Sequence, residues 1–128
     1  MTEGRRPRVL IVEDEWLIAA FLEDILQGMG CEVLGPVPSV EQALAIIAND
    51  PPDAAVLDIS LGRENSLPVA DVLLRDEIPF VFASGYMTAD LPAPYSNCIV
   101  LAKPISESQL QPVLRDLIDR GRGAKDRT

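Results

Sequence analysis

Five short apolar runs, separated by amphipathic or loop-like stretches, constrain this chain more than any other feature of its sequence. Arg8 to Val12 (RVLIV) is nearly all apolar and rich in β-branched residues, as suits a strand buried on both faces. Cys31 to Val37 (CEVLGPV), Ala54 to Asp58 (AAVLD), Pro79 to Ala83 (PFVFA) and Asn97 to Ala102 (NCIVLA) read as four more strands. Gly35 and Pro36 assign the second to a sheet edge, because proline cannot donate to a central ladder.

Helical patterns fill most of the gaps. Trp16 to Met29 places Leu17, Phe21, Ile25 and Met29 on one stripe, with Gly30 as a stop. Ser39 to Asn49 opens with a capping-box pattern and carries Val40, Ala43, Leu44 and Ile47 on one face. Leu67 to Arg75 has Pro68 in its first turn, where a missing N–H costs little. From Ser106 onward, Leu110, Leu114 and Leu117 share a face, and Pro112 predicts either a kink or a helix that starts there. Tyr86 to Asn97 holds Pro92 and Pro94 and no helical stripe, so a fourth helix is expected to be short or irregular. Ser60 to Ser66 reads as a loop and Gly121 to Thr128 as a frayed polar tail.

Strand and helix alternating in this way predict an open α/β fold: a five-stranded parallel sheet with helices on both faces. With the second strand at an edge the order 2-1-3-4-5 is natural, which is the flavodoxin-like arrangement. The expected organisation is a tail over residues 1–6, one domain over 7–120 and a second tail over 121–128; 128 residues suit a single domain.

Composition narrows the chemistry. Eleven Lys and Arg against 20 Asp and Glu give a net charge of −9, which argues against a nucleic-acid surface. No run approaches the roughly 20 apolar residues of a membrane span, and no apolar segment follows the basic start as in a signal peptide. A cytoplasmic protein is expected, with Cys31 and Cys98 as small hydrophobes rather than a disulfide. There is no histidine, so imidazole acid–base chemistry and imidazole metal ligation are excluded.

In open parallel sheets, ligands bind beyond the carboxyl ends of the strands. There the first strand ends in Glu13-Asp14-Glu15, the third in Asp58, the fourth in Ser84-Gly85 and the fifth in Lys103-Pro104. Taken singly, each has an ordinary explanation: a helix cap, a turn, surface punctuation. Together they put a polar group at one rim from each of four otherwise apolar strands. Carboxylates crowded at neutral pH are tolerated around a divalent cation, and Mg²⁺ prefers oxygen ligands while keeping several waters. Glu13 and Asp14 can hold the ion with one Asp58 oxygen, leaving the other to attack phosphorus. Lys103 can pair with the phosphoryl group and Ser84 can hydrogen-bond it. Positioning and charge neutralisation are most of what phosphoryl transfer requires.

RVLIVEDE at Arg8 to Glu15, AAVLDIS at Ala54 to Ser60, FVFASGY at Phe80 to Tyr86 and LAKPI at Leu101 to Ile105 resemble the signature of response-regulator receiver domains. By that resemblance Glu13 and Asp14 are the acidic pair and Asp58 is the phosphoacceptor. Ser84 is the hydroxyl switch, Lys103 the phosphate-pairing lysine, and the Ser60 backbone carbonyl a metal ligand. Mg²⁺ is the implied cofactor, with Mn²⁺ able to substitute, and Lys103-Pro104 is expected to be cis. Phe82-Ala83-Ser84-Gly85-Tyr86 is similar to the FATGUY subgroup, with Ser for Thr and no residue between Gly85 and Tyr86. Val100 stands where many receivers carry an aromatic switch, which makes Tyr86 the candidate substitute.

The resemblance implies a histidine kinase or phosphotransfer protein as donor and a downstream protein as target. The chain is expected to act without an output domain of its own, as a monomer or weak dimer, with no nucleic acid and no membrane. It implies a phosphoacceptor rather than an enzyme. The alternatives are a phosphate sink, a degenerate partner-binding receiver, or an aspartyl-phosphate phosphatase. The last requires a second acid two residues after the nucleophile, where Ser60 stands.

Overall fold

The computed structural model describes residues 6–85, 91, 94–95 and 98–126, with side chains described through residue 121. Its elements in chain order are β1 (Arg8–Val12), α1 (Trp16–Gly28), β2 (Glu32–Val37), α2 (Val40–Asn49), β3 (Ala54–Asp58), β4 (Ser60–Leu61), β5 (Glu64–Asn65), α3 (Leu67–Arg75), β6 (Phe80–Ser84), β7 (Ile99–Ala102) and α4 (Glu107–Asp126). The main sheet is parallel with the order β2-β1-β3-β6-β7, the predicted order once the small β4–β5 hairpin is set apart.

Each central strand alternates its side chains between two apolar layers, as a period of two requires. Val9, Ile11, Ala54, Val56, Val81 and Ala83 face α1 and α4, meeting Leu22, Leu26, Leu110, Leu114 and Leu117. Leu10, Val12, Ala55, Leu57 and Phe82 face α2 and α3, meeting Ala43, Ile47, Val69 and Leu73. At about 1.5–3 kcal/mol per large apolar side chain, these two layers supply the main favourable term in folding.

Three expectations are corrected. The α1 stripe divides: Ile25 is buried and Met29 half-buried, but Leu17 and Phe21 are 66% and 45% exposed, beside Trp16 at 75%. The inward face is centred on Ala19, Leu22 and Leu26, a line that passes to one side of Leu17 and Phe21. The expected loop after Asp58 contains the antiparallel β4–β5 hairpin, turned at Gly62 with φ +71°.

The last helix starts before Pro112, which excludes the start offered there as one of two readings, and it runs through Gly121 to Asp126, into the stretch expected as a frayed tail. A reciprocal cap begins it, with the Gln109 N–H donating to Ser106 Oγ and the Ser106 N–H donating to Gln109 Oε1. Pro112 is exposed, so water can reach the carbonyl its missing N–H leaves behind. Gly121 is buried against the Asp53 carbonyl, where any side chain would collide, so it serves close packing rather than termination. Lys103-Pro104 is cis as expected, and so is Gly35-Pro36.

Candidate functional site

The rim at the carboxyl ends of β1, β3, β6 and β7 is built by the sheet register. Asp58 lies opposite Ala83 and Ser84 opposite Ala102, so the residues that follow β3 and β7 emerge at one rim on either side of the end of β6. The Ile59 N–H donates to the Ala83 carbonyl at 3.0 Å and the Lys103 N–H to the Ser84 carbonyl at 2.7 Å, carrying the ladder one residue past each strand. The Glu13 N–H likewise donates to the Val37 carbonyl at 2.9 Å. That bond follows a register shift where β2 carries Gly35 at φ +87°; a Cβ on Gly35 would lie 2.7 Å from the Val37 nitrogen.

Glu13 and Asp58 are 3% and 5% exposed, whereas Asp14 opens to solvent. Lys103 Nζ lies 2.9 Å from Asp58 Oδ2, 3.0 Å from Glu13 Oε1 and 4.0 Å from Glu15 Oε1. The Ser60 N–H donates to Asp58 Oδ1 at 3.2 Å, and the Glu15 N–H to Glu13 Oε2 at 3.2 Å. Glu13 Oε1 has the ammonium nearby but no donor in hydrogen-bonding geometry.

Burial, reinforced by the neighbouring Asp58, raises the Glu13 carboxyl from 4.5 to about 7, with Lys103 and the Glu15 N–H only partly opposing the rise. For Lys103, burial alone would lower the ammonium's pKa; the hydrogen bond to Asp58 and the close ion pair with Glu13 outweigh it and raise the net value. One ammonium is thus shared among three acids, two of them buried, with the exposed Asp14 beside them.

A divalent ion fits this excess. Glu13, Asp14 and Asp58 each offer a carboxylate oxygen, and these oxygens lie within 4.8 Å of one another. The undonated Glu13 Oε1 is a buried acceptor of the kind a hard cation satisfies. The structure therefore brings Glu13, Asp14, Asp58 and Lys103 together, with the Ser60 peptide against Asp58. Ser84 is buried at the end of β6, next to the Lys103 backbone. Tyr86 lies outside the described residues. Glu15, to which the sequence alone gives no role, orients Glu13 through its N–H; the acidic run at 13–15 is the signal that points to it.

Among the described residues no helix is long and apolar enough to cross a membrane. Neither Cys31 nor Cys98 is disulfide-bonded.

Comparison with known proteins agrees with this geometry. The chain is 29% identical over 119 residues to the transcriptional regulatory protein PdtaR of Mycobacterium tuberculosis, covering 90% of this chain and 58% of PdtaR. It is 31% identical over 113 residues to the phyllosphere-induced regulator PhyR of Methylorubrum extorquens, covering 83% of this chain and 41% of PhyR. The chain thus matches about half the length of these relatives. The solution structure of the BeF3-activated conformation of SdrG from Pseudomonas melonis Fr1 is similar, with a TM-score of 0.73 and 40% identity over 87% of this chain and 95% of that one. The sequence pattern of the response regulator receiver domain matches residues 9–115, a span that runs from β1 into α4 and contains every charged group of the rim. By that match and by its fold, the chain belongs to the response regulator receiver domain family.

Proposed function

We propose that this protein receives a phosphoryl group on Asp58 in a Mg²⁺-dependent reaction, from a histidine kinase or phosphotransfer protein. The observation that carries the proposal is a buried carboxylate held from two sides, by Lys103 at Oδ2 and by the Ser60 N–H at Oδ1, beside two further acids. Glu13, Asp14, Asp58 and the Ser60 carbonyl would hold the ion, whose chemistry is to neutralise charge on the phosphoryl oxygens. In the transfer, an Asp58 oxygen bonds to phosphorus as the donor's N–P or O–P bond breaks, and the electron pair of that bond leaves with the donor. Lys103, held at 2.9 Å, then pairs with the new dianion. Ser84 is the hydroxyl assigned to hydrogen-bond it.

The BeF3-activated form of SdrG supports the reading, because that relative takes up a beryllium fluoride. Phe82-Ala83-Ser84-Gly85 supports placing the chain in the FATGUY-type subgroup. Phosphorylation would then alter the surface a downstream protein meets.

Incubation with Mg²⁺ and a small acyl phosphate, followed by mass spectrometry, tests this. Wild type should gain one phosphoryl group on Asp58, and Asp58→Asn none. Full labelling of Asp58→Asn would sink the proposal.

A further inference from the structure

The β4–β5 hairpin begins two residues after Asp58 and is fastened at three points. Leu61 is buried in the layer beneath α2 and α3. Asn65 Oδ1 accepts the Leu67 N–H at 3.0 Å, joining the hairpin's end to the first turn of α3. Glu64 Oε2 accepts the Val40 N–H at 3.2 Å, a bond that spans 24 residues of sequence.

Val40 is the first residue of α2, and the N-cap Ser39 does not serve it: Ser39 Oγ accepts the Gln42 N–H. Glu64 therefore fills a second of the donors that a helix start leaves unpaired, and its charge suits that end of the helix dipole. Unlike an ordinary cap, it is supplied from a distant part of the chain.

What the hairpin touches gives this bond a second consequence. Glu64 lies directly opposite Leu61, and Asn65 opposite Ser60, so the two short strands move together. At the base, the Ser60 N–H holds Asp58 Oδ1. At the tip, the glycine turn passes so close to the acidic pair that a Cβ on Gly62 would lie 3.7 Å from Asp14 Oδ2. One small element thus holds one of the three clustered carboxylates and passes beside a second, and Glu64 ties it to a helix on the layer below.

We propose that Glu64 is a positioning residue. By clamping the hairpin to the α2 N-terminus, it fixes where the Ser60 peptide and the Gly62 turn stand relative to Asp58 and Asp14, and so tunes metal affinity without touching the metal. The inference rests on reading the rim as a Mg²⁺-dependent phosphoacceptor site.

The test compares Mg²⁺ binding by calorimetry, supported by Trp16 fluorescence, with thermal unfolding in the absence of metal, for wild type, Glu64→Ala, Glu64→Gln and Ser39→Ala. Residues that orient metal ligands from outside the coordination sphere typically matter by 10- to 100-fold, so Glu64→Ala should weaken Mg²⁺ by about tenfold while still unfolding cooperatively. Glu64→Gln keeps an oxygen that can accept the Val40 N–H and should bind close to wild type. Ser39→Ala loosens the same helix end by another route and should lower stability while leaving Mg²⁺ affinity in place. Wild-type affinity in Glu64→Ala overturns the inference, as does an equal loss in Ser39→Ala. If wild type itself takes up neither Mg²⁺ nor phosphoryl, the reading of the rim and this inference fall together; if wild type does both, only the role of Glu64 is at stake.

Discussion

Where the strands of the main sheet begin, Asp53 is buried and its carboxylate accepts the Arg8 N–H at 2.8 Å. The Arg8 side chain pairs in turn with Asp50 and donates to the Pro51 carbonyl at 3.4 Å. Where the strands end, Glu13 and Asp58 are buried just as deeply, yet they share the one ammonium of Lys103 with Glu15 beyond it. Burying a charge is costly unless it is paired and hydrogen-bonded. The lower rim meets that cost with backbone and side-chain partners from this chain and so joins β1 to the start of β3. The upper rim leaves negative charge over, and the excess coincides with the oxygens a divalent ion requires. Buried acids alone therefore do not mark a site; buried acids that outnumber their donors do.

The largest effect expected from testing this contrast is at the lower rim. Gly121 lies where a Cβ would overlap the Asp53 carbonyl oxygen, which is rigid backbone. Alanine for glycine inside a helix ordinarily stabilises by about 0.5–1 kcal/mol. Here overpacking should reverse the sign, and Gly121→Ala should lose about 2–3 kcal/mol in urea denaturation. Its Mg²⁺ affinity should stay near wild type, since the rim that holds the acids is at the other end. Equal or greater stability would show that α4 does not pack there as closely as the structure places it.

At the upper rim, neutralising an acid should help the metal-free protein. Glu13 titrates at about 7 in the folded chain against 4.5 ordinarily, so between those values the folded state holds a proton that the unfolded state has released. Stability then falls as pH rises from 4.5 to 7, and the full cost applies above that window. Glu13→Gln removes the cost. Because the rim opens to water at Asp14, a discounted gain of about 2 kcal/mol at pH 8 is expected, shrinking towards zero below pH 5. The same variant should lose Mg²⁺ binding. A Glu13→Gln protein less stable than wild type at pH 8 would mean that Lys103 satisfies Glu13 fully and that the rim carries no excess charge.

The two rims were not equally legible in the sequence. Arg8–Val12 and Ala54–Asp58 were bounded correctly because strands buried on both faces write themselves as unbroken apolar runs, and the acids that follow stand out against them. Glu13, Asp14, Asp58 and Lys103 were therefore visible as a group before any geometry was known. The hairpin was not visible: its strands are two residues long, too short for alternation to register, and Glu64 meets Val40 only through the fold. The α1 stripe failed for a related reason. Leu17 and Phe21 keep helical spacing with Ile25, but spacing alone does not say which side of an apolar arc meets the sheet. Gly121 to Thr128 reads as a frayed tail because a glycine required for close approach and a glycine in a polar tail are the same letter.

The smallest effect is the most discriminating, because it repeats the Glu13 chemistry at the opposite rim. Asp53→Asn exchanges a carboxylate for an amide of nearly equal size, as Glu13→Gln does. Asp53 Oδ2 accepts the Arg8 N–H, and an amide oxygen can accept it too, so no backbone donor is stranded. What is lost is the charge, which strengthens that hydrogen bond. Hydrogen bonds to charged groups exceed neutral ones by about 1 kcal/mol, and Asp53→Asn should lose roughly that amount at neutral pH. Guanidinium chloride is unsuitable for the measurement because its ionic strength screens partly exposed pairs such as Arg8 with Asp50; urea at low salt reads the difference directly. Opposite signs for the two exchanges, a gain at Glu13 and a loss at Asp53, would establish that the lower acid is balanced within the chain and the upper one is not. A gain at both would make acid crowding a general property of this negatively charged protein and remove the contrast between its two rims.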